Sequence, residues 1–278
     1  TDVTMYNADL FKKAGLDPDN PPKTFEEAAK DAKIIKEKTG KYGFYPSLDL
    51  SLPLQYMVMM GAPLLNKDGT KAAFNTPEGL HMFKYFTDLY KKDLIPHSIV
   101  TDDEQKGVEK YAAGEVAMFS EGPQFLTQVK DNGPDAYKAT KTSEAITGKS
   151  GKKSMTVQGL VIPKQTKHEK AAIKFALFVT NAKNQVAFSK LTPVFPSVEK
   201  ALKDPFFTKA PKNAKPVDYA RISGAKQLKD AEVLIDKKGN EDKWDDLQQA
   251  MFDALQKSML GKESPKQALN EAEKQWNQ

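Results

Sequence analysis

The chain has 278 residues, is 39% hydrophobic and 28% charged, and carries a net charge of +5 from 42 basic and 37 acidic side chains. No apolar run approaches the ~18 residues of a membrane span, and the absence of cysteine excludes disulfides, thiolate metal sites and cysteine nucleophiles. Every basic residue except Arg221 is a lysine interleaved with Asp and Glu, a solvated surface that disfavours nucleic acid as a partner.

Residues 3–6 alternate as a short strand, and Asn7 caps a helix that stops at Gly15. The opening residues carry neither a basic nor an apolar leader region, so any export signal is expected to have been removed or to lie outside this chain. After a proline-rich turn, Thr24 and Glu27 form a capping box that opens a long amphipathic helix ending near Gly40. Residues 42–45 are a strand. The loop 46–50 follows it, and then a helix near Ser51 that buries Tyr56, Met57 and Met60. Residues 66–69 are a turn, and Thr76-Pro77 starts a helix whose apolar face is Leu80, Phe83, Phe86, Leu89 and Tyr90.

A helix from about Glu104 ends at Gly114, and Val116 to Phe119 is too apolar to be anything but a buried strand. Ser120 to Gln124 turns polar side chains out at its end, beside a new helix start at Pro123. Residues 130–153 are expected as loop, and 154–162 as a second buried strand broken at Gln158-Gly159. Thr166 and Glu169 read as a capping box for a helix with Ile173, Leu177 and Phe178 inside. The remainder is expected to be mainly helical, at 181–190, 198–203, 205–209, 224–237, 244–260 and 266–276, with residues 218–221 in a loop.

No GxSxG, GxxxxGK[ST] or GxGxxG motif is present. The three histidines, His81, His97 and His168, lie far apart with no partner at ligand spacing, so no metal site is expected. Glu121 is the one carboxylate placed to act as an acid, and a glycosidase would need a second, Asp49 or Asp218, facing it. What remains is a set of loops bearing aromatic, amide or charged groups suited to sugar rings and hydroxyls. The candidate ligand-binding residues are Tyr45, Ser47, Asp49, Glu121, Gln124, Phe125, Gln158, Gly159, Tyr219 and Arg221.

The order of motifs resembles the bacterial extracellular solute-binding proteins of ABC importers, the class that includes maltodextrin-binding protein. The carrying stretches are MYNADLFKKAGL at 5–16, PPKTFEE at 21–27, FNTPEG at 74–79 and GEVAM at 114–118 with Gly122-Pro123. Gly159 with the helix after Pro163, and Pro265 to Ala272, complete the order. The resemblance implies an α/β, periplasmic-binding-protein-like fold of the two-lobed type II, with the second lobe largely complete, the first only partly represented and the first N-terminal segment lacking. By analogy, residues 1–6 are an interlobe crossing strand, 7–156 and 191–278 build the second lobe, and 157–190 are a portion of the first.

The same resemblance implies a non-catalytic capture subunit for a sugar or oligosaccharide, without cofactor or metal. It would be extracytoplasmic and monomeric, would reach the membrane only through a lipid anchor outside this chain, and would deliver to ABC permease transmembrane subunits. Relatives often carry a stacking aromatic after Gly-Pro, whereas this chain has Gln124, leaving room for a more polar ligand such as a sugar phosphate. A carbohydrate-active hydrolase using Glu121, or a helical adaptor without a small ligand, are the competing readings.

Overall fold

The computed structural model describes residues 1–48, 51–237 and 239–278. At its centre is a four-stranded sheet of order β2-β3-β1-β4, made from β1 (Val3–Asn7), β2 (Tyr42–Tyr45), β3 (Val116–Glu121) and β4 (Thr140–Glu144). β1 runs antiparallel to both neighbours, pairing Val3 with Glu121 on one side and with Glu144 on the other, and β2 runs parallel to β3. All five β1 residues are buried, because a central strand covered on both faces has no solvent side.

Around the sheet the chain places α1 (Ala8–Ala14), α2 (Phe25–Thr39), α3 (Leu52–Met59), α4 (Pro77–Lys91), α5 (Glu104–Ala112), α6 (Phe125–Asn132) and α7 (Pro134–Ala139). Their ends follow local rules. Asn7 accepts from the backbone of Asp9 and Leu10, Thr24 and Glu27 complete a capping box, and Thr76 accepts from Gly79. Gly15, Gly40 and Gly114 take the left-handed conformation where the helices stop. Tyr56, Met57 and Met60 are buried as the helical spacing predicts.

Helix and sheet approach closely at Gly43 in β2, where an added Cβ would lie 2.1 Å from Ala32 Cα and 2.7 Å from Ala32 O in α2. Backbone on both sides leaves no side chain to give way. Gly43→Ala is therefore expected to cost about 1–3 kcal/mol through overpacking, read as a lower urea midpoint with an unchanged slope.

Residues 130–153 are more ordered than the polar sequence suggests. They hold the end of α6, α7 with Pro134 in its first turn, and β4, which pairs with β1 as an edge strand. An edge strand exposes its outward residues, so Thr140 to Glu144 carry no apolar alternation to read.

The expected strand at 154–162 is reduced to β5 (Lys153–Ser154), paired in parallel with β6 (Ala231–Glu232) in a separate two-stranded sheet. Beyond it Val157 and Val161 are 63% and 87% exposed, because apolar sequence alone cannot supply a ladder partner. The helix after it, α8 (Glu169–Thr180), starts without a side-chain cap, and the Thr166 hydroxyl accepts from the His168 N–H. Ile173, Leu177 and Phe178, expected inside, stand exposed with Phe175.

α9 (Ala182–Leu191) packs on α8 and on α10 (Glu199–Leu202), and α11 (Pro205–Thr208) packs on α12 (Pro216–Gln227). Packing thus runs on past residue 190 without a break. Residues 218–221 belong to α12 and not to a loop, since Pro216 sits in its first turn and Asp218 accepts from the Lys215 N–H. The helix expected at 224–237 ends at Gln227, and residues 231–232 are β6. Finally α13 (Trp244–Met259) and α14 (Pro265–Trp276) pack on each other and on α4, with Ser264 and Gln267 closing a capping box. Two histidines do meet carboxylates, His81 with Glu26 at 3.2 Å and His97 with Asp93 at 3.4 Å. No group able to hold a metal occurs among the described residues.

Candidate functional site

β2 and β3 run parallel, with Tyr45 opposite Phe119, so the residues that follow the two strands emerge at the same edge of the sheet. There the Ser47 hydroxyl donates to Glu121 Oε1 at 2.7 Å, and the two residues are only 2% and 6% exposed. Burial above all, with the nearby charges of Asp2 and Glu104, pushes the Glu121 carboxyl up to about 10 against the opposing Ser47 hydrogen bond. At neutral pH Glu121 is therefore a carboxylic acid, able to donate as well as accept. It shares a hydrogen bond with Glu104 at the start of α5.

After Glu121, Gly122 and Pro123 turn the chain into α6. Gln124 is exposed and folds its amide back over Gly122, where a Cβ would lie 2.2 Å from the amide oxygen. Phe125 is half-buried against the core. Ser47, Glu121, Gln124 and Phe125 thus come together at one sheet edge.

The other expected site residues do not join them in the same way. Tyr45 lies in the core: its ring is fully buried, 6.4 Å from that of Phe119, and its hydroxyl donates to the Asp103 carbonyl at 3.1 Å. Gly107 of α5 packs directly over that ring, which removes it from any wall. Asp49 lies outside the described residues. Gln158 and Gly159 are exposed in the segment after β5. Arg221 faces α11, donating to the Phe206 carbonyl at 2.8 Å and to Asp218 at 2.8 Å with its guanidinium 3.9 Å above the Phe206 ring. Tyr219, on the same helix, is 52% exposed.

Further along the connection that carries Ser47, Ser51 begins the wall of a cavity of about 290 Å³. Gln55 on α3, Ser154 on β5, Thr156, Lys237 after β6, and Trp244, Asp245 and Gln248 on α13 form the rest of its polar lining, with Met155 and residues 233–235 as the apolar part. Gln55 is held from both ends: its amide donates to Ser51 Oγ at 3.1 Å and accepts from the Ser154 hydroxyl. The Trp244 indole N–H donates to Gln248 Oε1 at 2.9 Å, and with the residue 2% exposed only its edge faces the cavity. The set of hydroxyls, amides, one ammonium group and the Asp245 carboxylate suits a hydroxyl-rich ligand.

A second cavity of about 460 Å³ lies between the first turns of α2 and α4. Its polar side chains pair internally, His81 with Glu26 and Lys149 with Glu78 at 3.0 Å.

Ser51, Gln55, Trp244 and Gln248 are absent from the sequence-based candidates, because they come from helices far apart in the chain. One signal was readable: Gln55 is the single polar residue in LPLQYMVM, and a glutamine in so apolar a helix must find partners.

The family described as bacterial extracellular solute-binding protein matches residues 1–186. A binding protein of Brucella abortus strain 2308 is 26% identical over 274 residues, covering 96% of this chain and 62% of its own length. A solved structure described as an oligosaccharide periplasmic-binding protein from Synechococcus sp. MITs9220 is 33% identical, with a TM-score of 0.90 over 99% of this chain and 70% of that one. The sn-glycerol-3-phosphate-binding periplasmic protein UgpB of Escherichia coli K12 is 31% identical over 138 residues, 47% of this chain and 31% of its own. The chain thus spans less than two thirds of the length of the Brucella protein it matches.

Proposed function

Because the chain belongs to the bacterial extracellular solute-binding protein family, we propose that it is part of the substrate-capture subunit of an ABC importer. It binds a sugar or oligosaccharide between two lobes outside the cytoplasm and delivers it to the transmembrane permease. On this reading residues 7–156 and 191–278 contribute to one lobe, 157–190 to the other, and 1–6 cross between them. The apolar side chains of 157–191 that stand exposed, among them Val161, Phe175, Leu177 and Leu191, support that division.

The observation that carries the ligand class is the cavity of about 290 Å³ edged by Ser51, Gln55, Ser154 and Gln248. Ser51 in its wall follows Ser47 closely in the chain. Lobe closure would exclude water from this wall, driven by the higher ligand affinity of the closed state. We infer also that the protein is not an enzyme and acts as a monomer with any lipid anchor outside these residues. Glu121 as a glycosidase acid is disfavoured by its 6% exposure beneath Ser47.

Thermal shift against sugars, polyols and sn-glycerol 3-phosphate tests the reading. A cognate sugar at 100 times its Kd should stabilise the fold by about 2.7 kcal/mol, and Gln248→Leu should weaken its binding about tenfold by removing one amide partner. A shift with glycerol phosphate alone would move the assignment to the sugar-phosphate alternative, for which Lys237 offers the cation. No shift with any carbohydrate would overturn the carbohydrate reading.

A further inference from the structure

Three separate stretches of chain meet where residues 157–190 join the body of the protein. β5 and β6 pair Lys153 with Ala231 and Ser154 with Glu232, and the Met155 N–H donates to the Glu232 carbonyl at 3.0 Å. The third stretch is the start of β1. Gln227, 1% exposed at the end of α12, donates to the Asp2 carbonyl and accepts from the Ala145 N–H at 3.0 Å.

Glu144, at the end of β4 and opposite Val3, ties these stretches electrostatically. One of its oxygens takes the Lys153 ammonium and the other takes the Lys226 ammonium at 2.9 Å. Lys152 adds a contact to Glu232 at 3.0 Å across the β5–β6 pair. The Lys153 side chain is 12% exposed against 71% for Lys226, so water and salt screen the first contact less. Both ammonium groups hold the Glu144 carboxyl below its ordinary range. Residues 155–168 contain no helix or strand and α8 has no buried residue, so on this side the neck is what orients that part of the chain, while at its other end α9 packs on α10 and Gln185 accepts from the Ser197 N–H at 2.9 Å.

We propose that Glu144 is a positioning residue for lobe movement: with Gln227 it locks the start of β1, β5 and β6 together, and this lock sets the resting angle between residues 157–190 and the body. The proposal rests on the lobe division given under Proposed function. A ligand that favours one angle then works against, or with, a resting angle set away from the binding wall.

The test uses the whole chain and needs no ligand. With no native cysteine, cysteines replacing the exposed Lys38 on α2 and Lys183 on α9 accept spin labels for double electron–electron resonance. At low salt the labelled parent should give a narrow distance distribution. Glu144→Gln should give one about twofold broader, because a neutral amide cannot hold two ammonium groups. At about 1 M salt, where the Debye length falls to ~3 Å, the parent should broaden towards the variant while the variant stays unchanged. Lys226→Gln, at an exposed position, should give an intermediate width and serves if Glu144→Gln does not fold. Equal widths and equal salt responses in parent and folded variants would overturn the proposal. Because no sugar is involved, failure of the carbohydrate assignment would be seen separately, in the thermal-shift screen.

Discussion

Glu121→Gln is expected to make the protein more stable than its parent at pH 8, by on the order of 3 kcal/mol. The unfolded chain ionises this carboxyl near 4.5, while burial and the charges of Asp2 and Glu104 push it up to about 10 in the folded protein. Between those values the folded state keeps a proton that the unfolded state has lost, so stability falls as pH rises, by at most about 1.4 kcal/mol per unit. Below pH 4.5 both states are protonated and the difference vanishes. Glutamine keeps the shape and can still accept from Ser47 and donate towards Glu104, but it has no proton to lose. Urea unfolding at pH 5 and pH 8 reads the effect: the parent should lose stability across that interval more steeply than the variant. A variant weaker than the parent at both pH values would show that Glu121 is ionised and supported by its surroundings.

Trp276→Ala is expected to cost about 3–5 kcal/mol. The ring closes the last helix onto the core at 2% exposure, edge-on to Phe74 at 5.1 Å and to Trp244 at 5.8 Å. Its indole N–H donates to the Leu247 carbonyl at 2.9 Å, and truncation leaves that buried oxygen without its donor. Urea unfolding measures the loss, and hydrogen exchange should show α14 and the first turns of α13 opening together. Because Trp244 lines the 290 Å³ cavity and rests against Trp276, a ligand found by thermal shift should also bind the variant more weakly. A loss below about 1 kcal/mol would mean that α14 lies outside the cooperative core.

How much of this was legible in advance depends on where the information sits. The β3 strand, its Gly122-Pro123 turn and the neighbouring helices follow from the stretch at 111–125, because burial and turn chemistry there act over a few residues. The segment 154–162 reads as a buried strand for the same reason, yet it is exposed: an apolar run specifies a need for partners and not their presence. Residues 140–144 show the opposite failure, a polar run that is nonetheless a strand because β1 offers it an edge. Among the candidate site residues, Ser47 and Glu121 meet, whereas Tyr45, equally plausible by type, turns into the core under Gly107.

The sequence by itself determined the family, the helix starts at Asn7, Thr24, Thr76 and Ser264, and the stops at Gly15, Gly40 and Gly114. Each of those helix signals is a bond or a backbone angle closed within about four residues, so nothing distant can change it. Only the tertiary structure decided that Glu121 keeps its proton, that Gln55, Ser154 and Gln248 share a cavity wall, and that Glu144 joins Lys153 to Lys226. Those features depend on desolvation and on charges or amides brought together from separate elements, and neither is a property of any local stretch of chain.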